Sequence, residues 1–134
     1  MKIRVYYEDT DCGNVVYYAN YLKYMERSRT EVLRDMGMSL TDLRDQGFTF
    51  AVIDAHVKYR APAVYDDLLD VRSEITEVTS ITVTFQTIIR SDSGKVLVVG
   101  EVKLACLDPH MKACRIPQQV HERLRSSPGG IPHG

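Results

Sequence analysis

The chain has 134 residues, 44% of them hydrophobic, with 17 basic and 18 acidic side chains and a formal net charge of −1. That is about one domain's length with apolar material for one core, and the near-neutral balance removes any general electrostatic draw toward nucleic acid or an anionic membrane. No apolar run approaches the roughly 18 residues of a membrane span and the N-terminus lacks a signal peptide's apolar centre, so the expected protein is cytoplasmic, with no membrane span.

Lys2 to Tyr7 alternates Ile3, Val5 and Tyr7 with Lys2, Arg4 and Tyr6, the period-two mark of a first strand. Glu8 to Asn14 follows as a loop, since its Asp, Thr, Gly and Asn favour turns, and Gly13-Asn14 takes positive φ at low cost. From about Ala19 to Met36 the side chains Tyr21, Leu22, Met25, Val32, Leu33 and Met36 recur at three- and four-residue spacing, which predicts an amphipathic helix roughly 27 Å long at about 1.5 Å per residue. Gly37 stops it. Ser39-Leu40-Thr41-Asp42 reads as the capped start of a short helical turn that Gly47 ends. Phe48 to Arg60 carries apolar side chains on both parities and is expected to be a strand buried on both faces over part of its length. Leu68 to Val78, Ser80 to Arg90 and Lys95 to Leu107 read as three more strands, the last two joined through a hairpin turn at Ser91-Asp92-Ser93-Gly94. Ile116-Pro117 to Arg125 predicts a short terminal helix.

The economical packing lays the one long helix on one face of a five-stranded, mainly antiparallel sheet, an α+β arrangement in a single domain over residues 1–125, with 126–134 as a mobile tail. The two-parity strands leave surface for a second copy to cover, so a homo-oligomer is expected. Cys12, Cys106 and Cys114 form an odd set that fits thiols in a reducing compartment.

The chemistry concentrates between residues 7 and 21. Asp11 lies in a loop that ends where a helix begins, and a helix start exposes unpaired backbone N–H groups with a partial positive charge. A carbonyl could be polarised there beside a carboxylate. Read alone, Asp11 is equally a turn or capping aspartate, and Asp9 a structural one. Cys12 has no neighbouring base, and His56, His110, His121 and His133 form no ligand motif, so neither a thiol nucleophile nor a metal is expected.

The pattern Tyr7-x-Asp9-Thr10-Asp11-x-x-x-Val15-Val16-Tyr17-x-x-x-Tyr21-Leu22-x-x-x-Glu26-x-x-Arg29, with Tyr59-x-Ala61-Pro62-x-x-x-Asp66-Asp67, resembles the hotdog-fold acyl-CoA thioesterases. The resemblance is to the branch associated with the bacterial Tol–Pal envelope system, related to 4-hydroxybenzoyl-CoA thioesterase, and spans about Ile3 to Asp108. It implies a hotdog fold, the sheet wrapped around the long helix, with dimers joined sheet edge to sheet edge and often tetramers. It assigns the catalytic carboxylate to Asp11, the carbonyl-polarising donor to the main-chain N–H of Tyr18, and a hydrogen-bonding place near the site to Tyr7. No cofactor is implied. The chain departs from the branch in carrying Tyr18 where His is common, and Asn14 where many relatives have Gly.

A thioester is already activated, so one carboxylate with an oxyanion donor suffices, Asp11 acting as nucleophile or as general base toward water. A free aspartate's pKa of about 3.9 makes it a poor base near neutrality, which favours attack. Lys58 and Arg60, flanking Tyr59, are candidates to meet the phosphates of coenzyme A. The competing functions are a non-catalytic acyl-binding or protein-interaction module, with acyl carrier protein or envelope proteins as partner, and a hydratase, which would want a His base near the helix start.

Overall fold

Alternation in the second half of the chain becomes a five-stranded antiparallel sheet, in a computed structural model that describes residues 1–126. The strands are β1 (Lys2–Arg4), β2 (Thr49–Tyr59), β3 (Leu68–Val78), β4 (Thr82–Arg90) and β5 (Val96–Leu107), in the spatial order β1-β3-β4-β5-β2. Three helices accompany them: α1 (Tyr18–Asp35), α2 (Leu40–Asp45) and α3 (Gln118–Arg125). The α+β expectation holds, with the long helix packed on one face of the sheet. Of the expected tail, all but Ser126 lies outside the described residues. No helix among the described residues is long and apolar enough to cross a membrane.

The buried side of α1 presents Tyr21, Tyr24, Met25 and Ser28 to Leu69, Val71, Ile89, Val98 and Val102 of the sheet. This corrects the predicted stripe. Leu22 is 42% exposed, whereas Tyr24 and Ser28, absent from that stripe, are inside. The small Ser28 suits a helix pressed close to a sheet. The Met25 side chain lies over Gly100 of β5, where a Cβ would come to 2.2 Å from Met25 Cε and 2.8 Å from its Sδ. Gly100→Val is therefore expected to destabilise the fold by about 1–3 kcal/mol through overpacking, with part of the loss recovered when Met25→Ala is added. Urea unfolding checks this, and an unchanged midpoint would mean that the helix does not press on β5 there.

The first strand is shorter than predicted. Pairing of Lys2, Ile3 and Arg4 with Asp70, Leu69 and Leu68 stops before Tyr7, which is 74% exposed and starts a 3-10 turn over Tyr7–Asp9. The Asp9 carboxylate accepts from the Tyr6 N–H at 3.0 Å and so competes with further ladder bonds.

Two-sided burial of the second strand is also corrected. Val52 lies opposite Leu104 and Asp54 opposite Lys103, so Ile53 is an extra residue, a β-bulge. Before it Phe50 lies opposite Cys106, and after it Ala55, Val57 and Tyr59 lie opposite Val102, Gly100 and Val98. Both parities thus serve the helix side, one on each side of the bulge. Asp54, His56, Glu101 and Lys103 share the opposite, polar face.

Ser39 caps α2, its Oγ accepting from the Asp42 N–H, and Gly47 ends the turn with φ 92°. Pro117 is the residue before α3 rather than inside its first turn. All three cysteines are free, although Cys106 and Cys114 lie with their sulfurs 3.6 Å apart across a short bridge after β5. Burial, with Cys114 beside it, pushes the Cys106 thiol up to about 12.

Candidate active site

Between β1 and α1 the chain makes a hairpin. Thr10 bridges Val16, the Asp11 N–H donates to the Val15 carbonyl at 3.0 Å, and the Asn14 N–H returns to the Asp11 carbonyl at 3.0 Å. Asn14 sits in the left-handed region with φ 62°, which makes this a three-residue hairpin loop closed by a residue at positive φ. Glycine is the usual choice there and asparagine the next most tolerant residue, so Asn14 closes the loop at modest cost.

At the tip, Asp11 Oδ1 accepts from the Gly13 N–H at 2.9 Å. A Cβ on residue 13 would stand 3.3 Å from that oxygen, so Gly13 gives the carboxylate its close seat. The Asp11 side chain is otherwise exposed.

The hairpin's second arm leads straight into α1, whose first residue is Tyr18. No side chain caps this helix, and among the described residues nothing accepts from the Tyr18 N–H. That donor, at the positive end of an 18-residue helix, is free to meet a developing negative oxygen.

Two clamps hold the hairpin to the helix. The Asp9 carbonyl accepts both the Tyr17 N–H and the Asn20 side-chain amide, each at 2.9 Å. On the other side, Val16 N–H donates to the Ala63 carbonyl, Val15 bridges Val64, and the Ala63 N–H donates to the Tyr21 hydroxyl at 3.0 Å. The second sequence motif therefore builds a loop that backs the first. In that loop Asp67 accepts from the Val64 N–H at 2.9 Å, while Asp66 takes φ 72° and donates its N–H to Val5.

Tyrosines surround the helix start. Rings 17 and 18 stand 4.8 Å apart, 18 and 59 at 6.4 Å, 21 and 59 at 5.5 Å, and 21 and 24 at 6.2 Å. The Tyr59 hydroxyl donates to the Tyr18 carbonyl at 3.4 Å, tying the end of β2 to the first turn of α1. Burial raises the Tyr21 and Tyr59 phenols, so both stay neutral at physiological pH. Tyr24 is raised further, by burial first and then by the Asp9 carboxylate that its hydroxyl faces.

An open cleft of about 290 Å³ lies against this cluster, lined by Val16, Tyr18, Tyr21, Tyr59 and Arg60. Of the expected binding trio, Tyr59 and Arg60 come together there, but Lys58 does not. Strand alternation sends its side chain to the face of His56 and Glu101. Tyr7 forms a separate edge-to-face pair with Tyr65 at 5.9 Å and is not among the residues lining the cleft.

Asn20 is the residue of this candidate site that sequence reasoning passed over. Its only signal was an amide side chain in a helix's first turn, where it can reach back to the preceding loop. Asn20→Ala is expected to cost about 1 kcal/mol of stability and to lower kcat more than it changes KM, because the hairpin loses its register to the helix start. Steady-state kinetics beside urea unfolding checks this, and unchanged kcat would show that the Tyr17 bond alone holds the register.

Comparisons with known proteins show the family and the fold. The model of the thioesterase-like superfamily matches residues 5–124. The acyl-CoA thioester hydrolase YbgC of Escherichia coli O6:H1 is 40% identical over 119 residues, 88% of this chain and 89% of that protein. The acyl-CoA thioesterase YbgC of Haemophilus influenzae is 41% identical over 120 residues, 88% of each chain. Among solved structures, the hypothetical protein TT1821 of Thermus thermophilus superposes with a TM-score of 0.90 at 27% identity, covering 95% of this chain and 97% of that one.

Proposed function

We propose a chemistry for a chain that belongs to the thioesterase-like superfamily, has the hotdog fold and is an acyl-CoA thioester hydrolase. Asp11 supplies the reacting carboxylate and the Tyr18 main-chain N–H polarises the thioester carbonyl. The observation that carries this is the hairpin itself: its tip holds Asp11 against the Gly13 N–H, and its second arm ends at a helix start whose first N–H has no acceptor among the described residues.

In this reading the free carboxylate oxygen attacks the thioester carbon, and the carbonyl oxygen becomes an oxyanion facing the Tyr18 N–H. Collapse expels the coenzyme A thiolate and leaves an acyl anhydride on Asp11, which water then hydrolyses. Single-turnover hydrolysis in labelled water distinguishes attack from general-base catalysis. Label entering the Asp11 carboxyl supports the anhydride, and its complete absence counts against it.

Arg60 and Tyr59 flank the cleft where the coenzyme's phosphates and planar base would lie. The resemblance of the motifs supports the Tol–Pal-associated branch as the proposed affiliation, with envelope proteins or acyl carrier protein as candidate partners in the cytoplasm. Strand β2 supports a second copy of the chain as its neighbour: it is an edge strand of 11 residues with Val52 and Ile53 more than half exposed. Sedimentation would read a dimer or tetramer, and a monomer would remove that part of the proposal. The hydrolytic reading is tested by thiol release from short-chain, long-chain and aromatic acyl-CoAs. No turnover of any of them overturns it.

A further inference from the structure

We infer that Cys106 and Cys114 form a reversible oxidation site, a dithiol that a hydroperoxide converts to an intrachain disulfide tying the end of β5 to the segment that enters α3. Backbone geometry brings the two together. Leu107 and Ala113 are bridged antiparallel, the Cys114 N–H donates to the Cys106 carbonyl at 2.9 Å, and the Asp108 N–H donates to the Lys112 carbonyl at 2.8 Å. Cys106 and Cys114 are therefore opposed residues of a small hairpin, with side chains on one face and Cα atoms about 5.5 Å apart, within the span that a disulfide bridges. The tip is fixed as well: Asp108 Oδ1 accepts from the His110 N–H at 2.8 Å and the Lys112 N–H at 3.0 Å. The sulfurs end 3.6 Å apart, in contact but unbonded, so a shift of roughly 1.5 Å makes the bond of about 2.05 Å.

The two thiols differ in what they can do. Cys114 is partly exposed and meets an oxidant in solution, whereas Cys106 is buried with Phe85, Ile116 and Leu124. Burial raises the Cys106 thiol, so it keeps its proton at physiological pH and acts second. The Cys114 sulfur attacks one peroxide oxygen, the O–O bond breaks, and the leaving oxygen takes the thiol's proton; Cys114 becomes a sulfenic acid. The Cys106 sulfur then attacks the Cys114 sulfur, the S–O bond breaks, and hydroxide leaves with the Cys106 proton as water. In sum the two thiols lose two electrons and two protons, and hydrogen peroxide gains them to give two waters.

The bond acts on α3. The Ile116 N–H donates to the Ser80 carbonyl at 2.8 Å, and Ile116 and Leu124 are 5% and 1% exposed in the same apolar cluster as Cys106. Opening of α3 away from the sheet swings the segment that carries Cys114, and a cross-link just before Ile116 restrains it.

The test uses the full chain carrying Cys12→Ser, which removes the exposed third thiol, treated with hydrogen peroxide and read by peptide mapping without reductant. One linkage between Cys106 and Cys114 is expected, reversed by dithiothreitol, and the thermal midpoint of the oxidised form is expected to be higher by roughly 5 °C or more. Adding Cys114→Ser is expected to abolish both the linkage and the rise. Treated chain in which both cysteines are still alkylated after unfolding overturns the inference, as does Cys114 carried on to sulfinic acid with Cys106 free, or a linkage between two chains. A linkage that leaves the midpoint unchanged overturns the restraint on α3.

Discussion

Asp11→Asn is expected to fold as the parent chain does and to lose about 10²- to 10⁴-fold in kcat, the range of a positioned carboxylate's contribution. The exchange isolates charge from shape. Asparagine keeps an Oδ1 that can accept the Gly13 N–H now 2.9 Å from Asp11, and it is nearly the same size as aspartate. The side chain is exposed, so stability should move by no more than about 0.5 kcal/mol. What disappears is the anion that attacks the carbonyl or takes a proton from water. A folded Asp11→Asn variant with parental turnover would reduce Asp11 to a hairpin-capping residue.

Tyr18→Pro is expected to lower kcat by about 10²- to 10³-fold relative to Tyr18→Ala, equivalent to about 2.7–4 kcal/mol for one lost oxyanion donor. Proline is well suited to the first helical position, because the N–H it lacks has no intrahelical partner in any case. Tyr17, with φ −62° and ψ 129°, already has the extended conformation that a following proline requires. The variant therefore deletes one main-chain donor and leaves α1 in place. Tyr18→Ala removes the ring, with its contacts to Tyr17 and Tyr59, but keeps the N–H. Equal rates in the two variants would assign the effect to the aromatic ring and not to the backbone.

The hairpin that joins the two proposed groups is legible in the sequence because they are neighbours along it. Asp11 and Tyr18 are joined by a hairpin whose turn residues, Gly13 and Asn14, announce themselves, and the helix that follows has a clear period. The supports are remote. That Ala63 and Val64 back the hairpin, and that Tyr59 reaches the Tyr18 carbonyl, depends on strand pairings some 40 residues away that no local pattern records. Lys58 was grouped with Tyr59 and Arg60 by adjacency, but a strand sends neighbours to opposite faces.

Likewise the single extra residue Ile53 turns a one-sided strand into an apparently two-sided one, since a bulge shifts parity without changing composition. On the helix, Leu22 fits the period yet faces outward, and Tyr24 goes in because the core beneath α1 has room for its ring next to Tyr21 and little room at Gly100.

Carboxylate and backbone donor are assigned to one reacting centre, and groups that act as a unit are strongly non-additive. The direct measurement is kcat for a single acyl-CoA in the parent chain, Asp11→Asn, Tyr18→Pro and the double variant, with Tyr18→Ala as the control for the ring. The account predicts that the double variant is slower than either single variant but by less than the product of their losses, because residual attack by water still develops an oxyanion at the Tyr18 N–H. Losses that multiply fully, or a double variant with parental turnover, would contradict it.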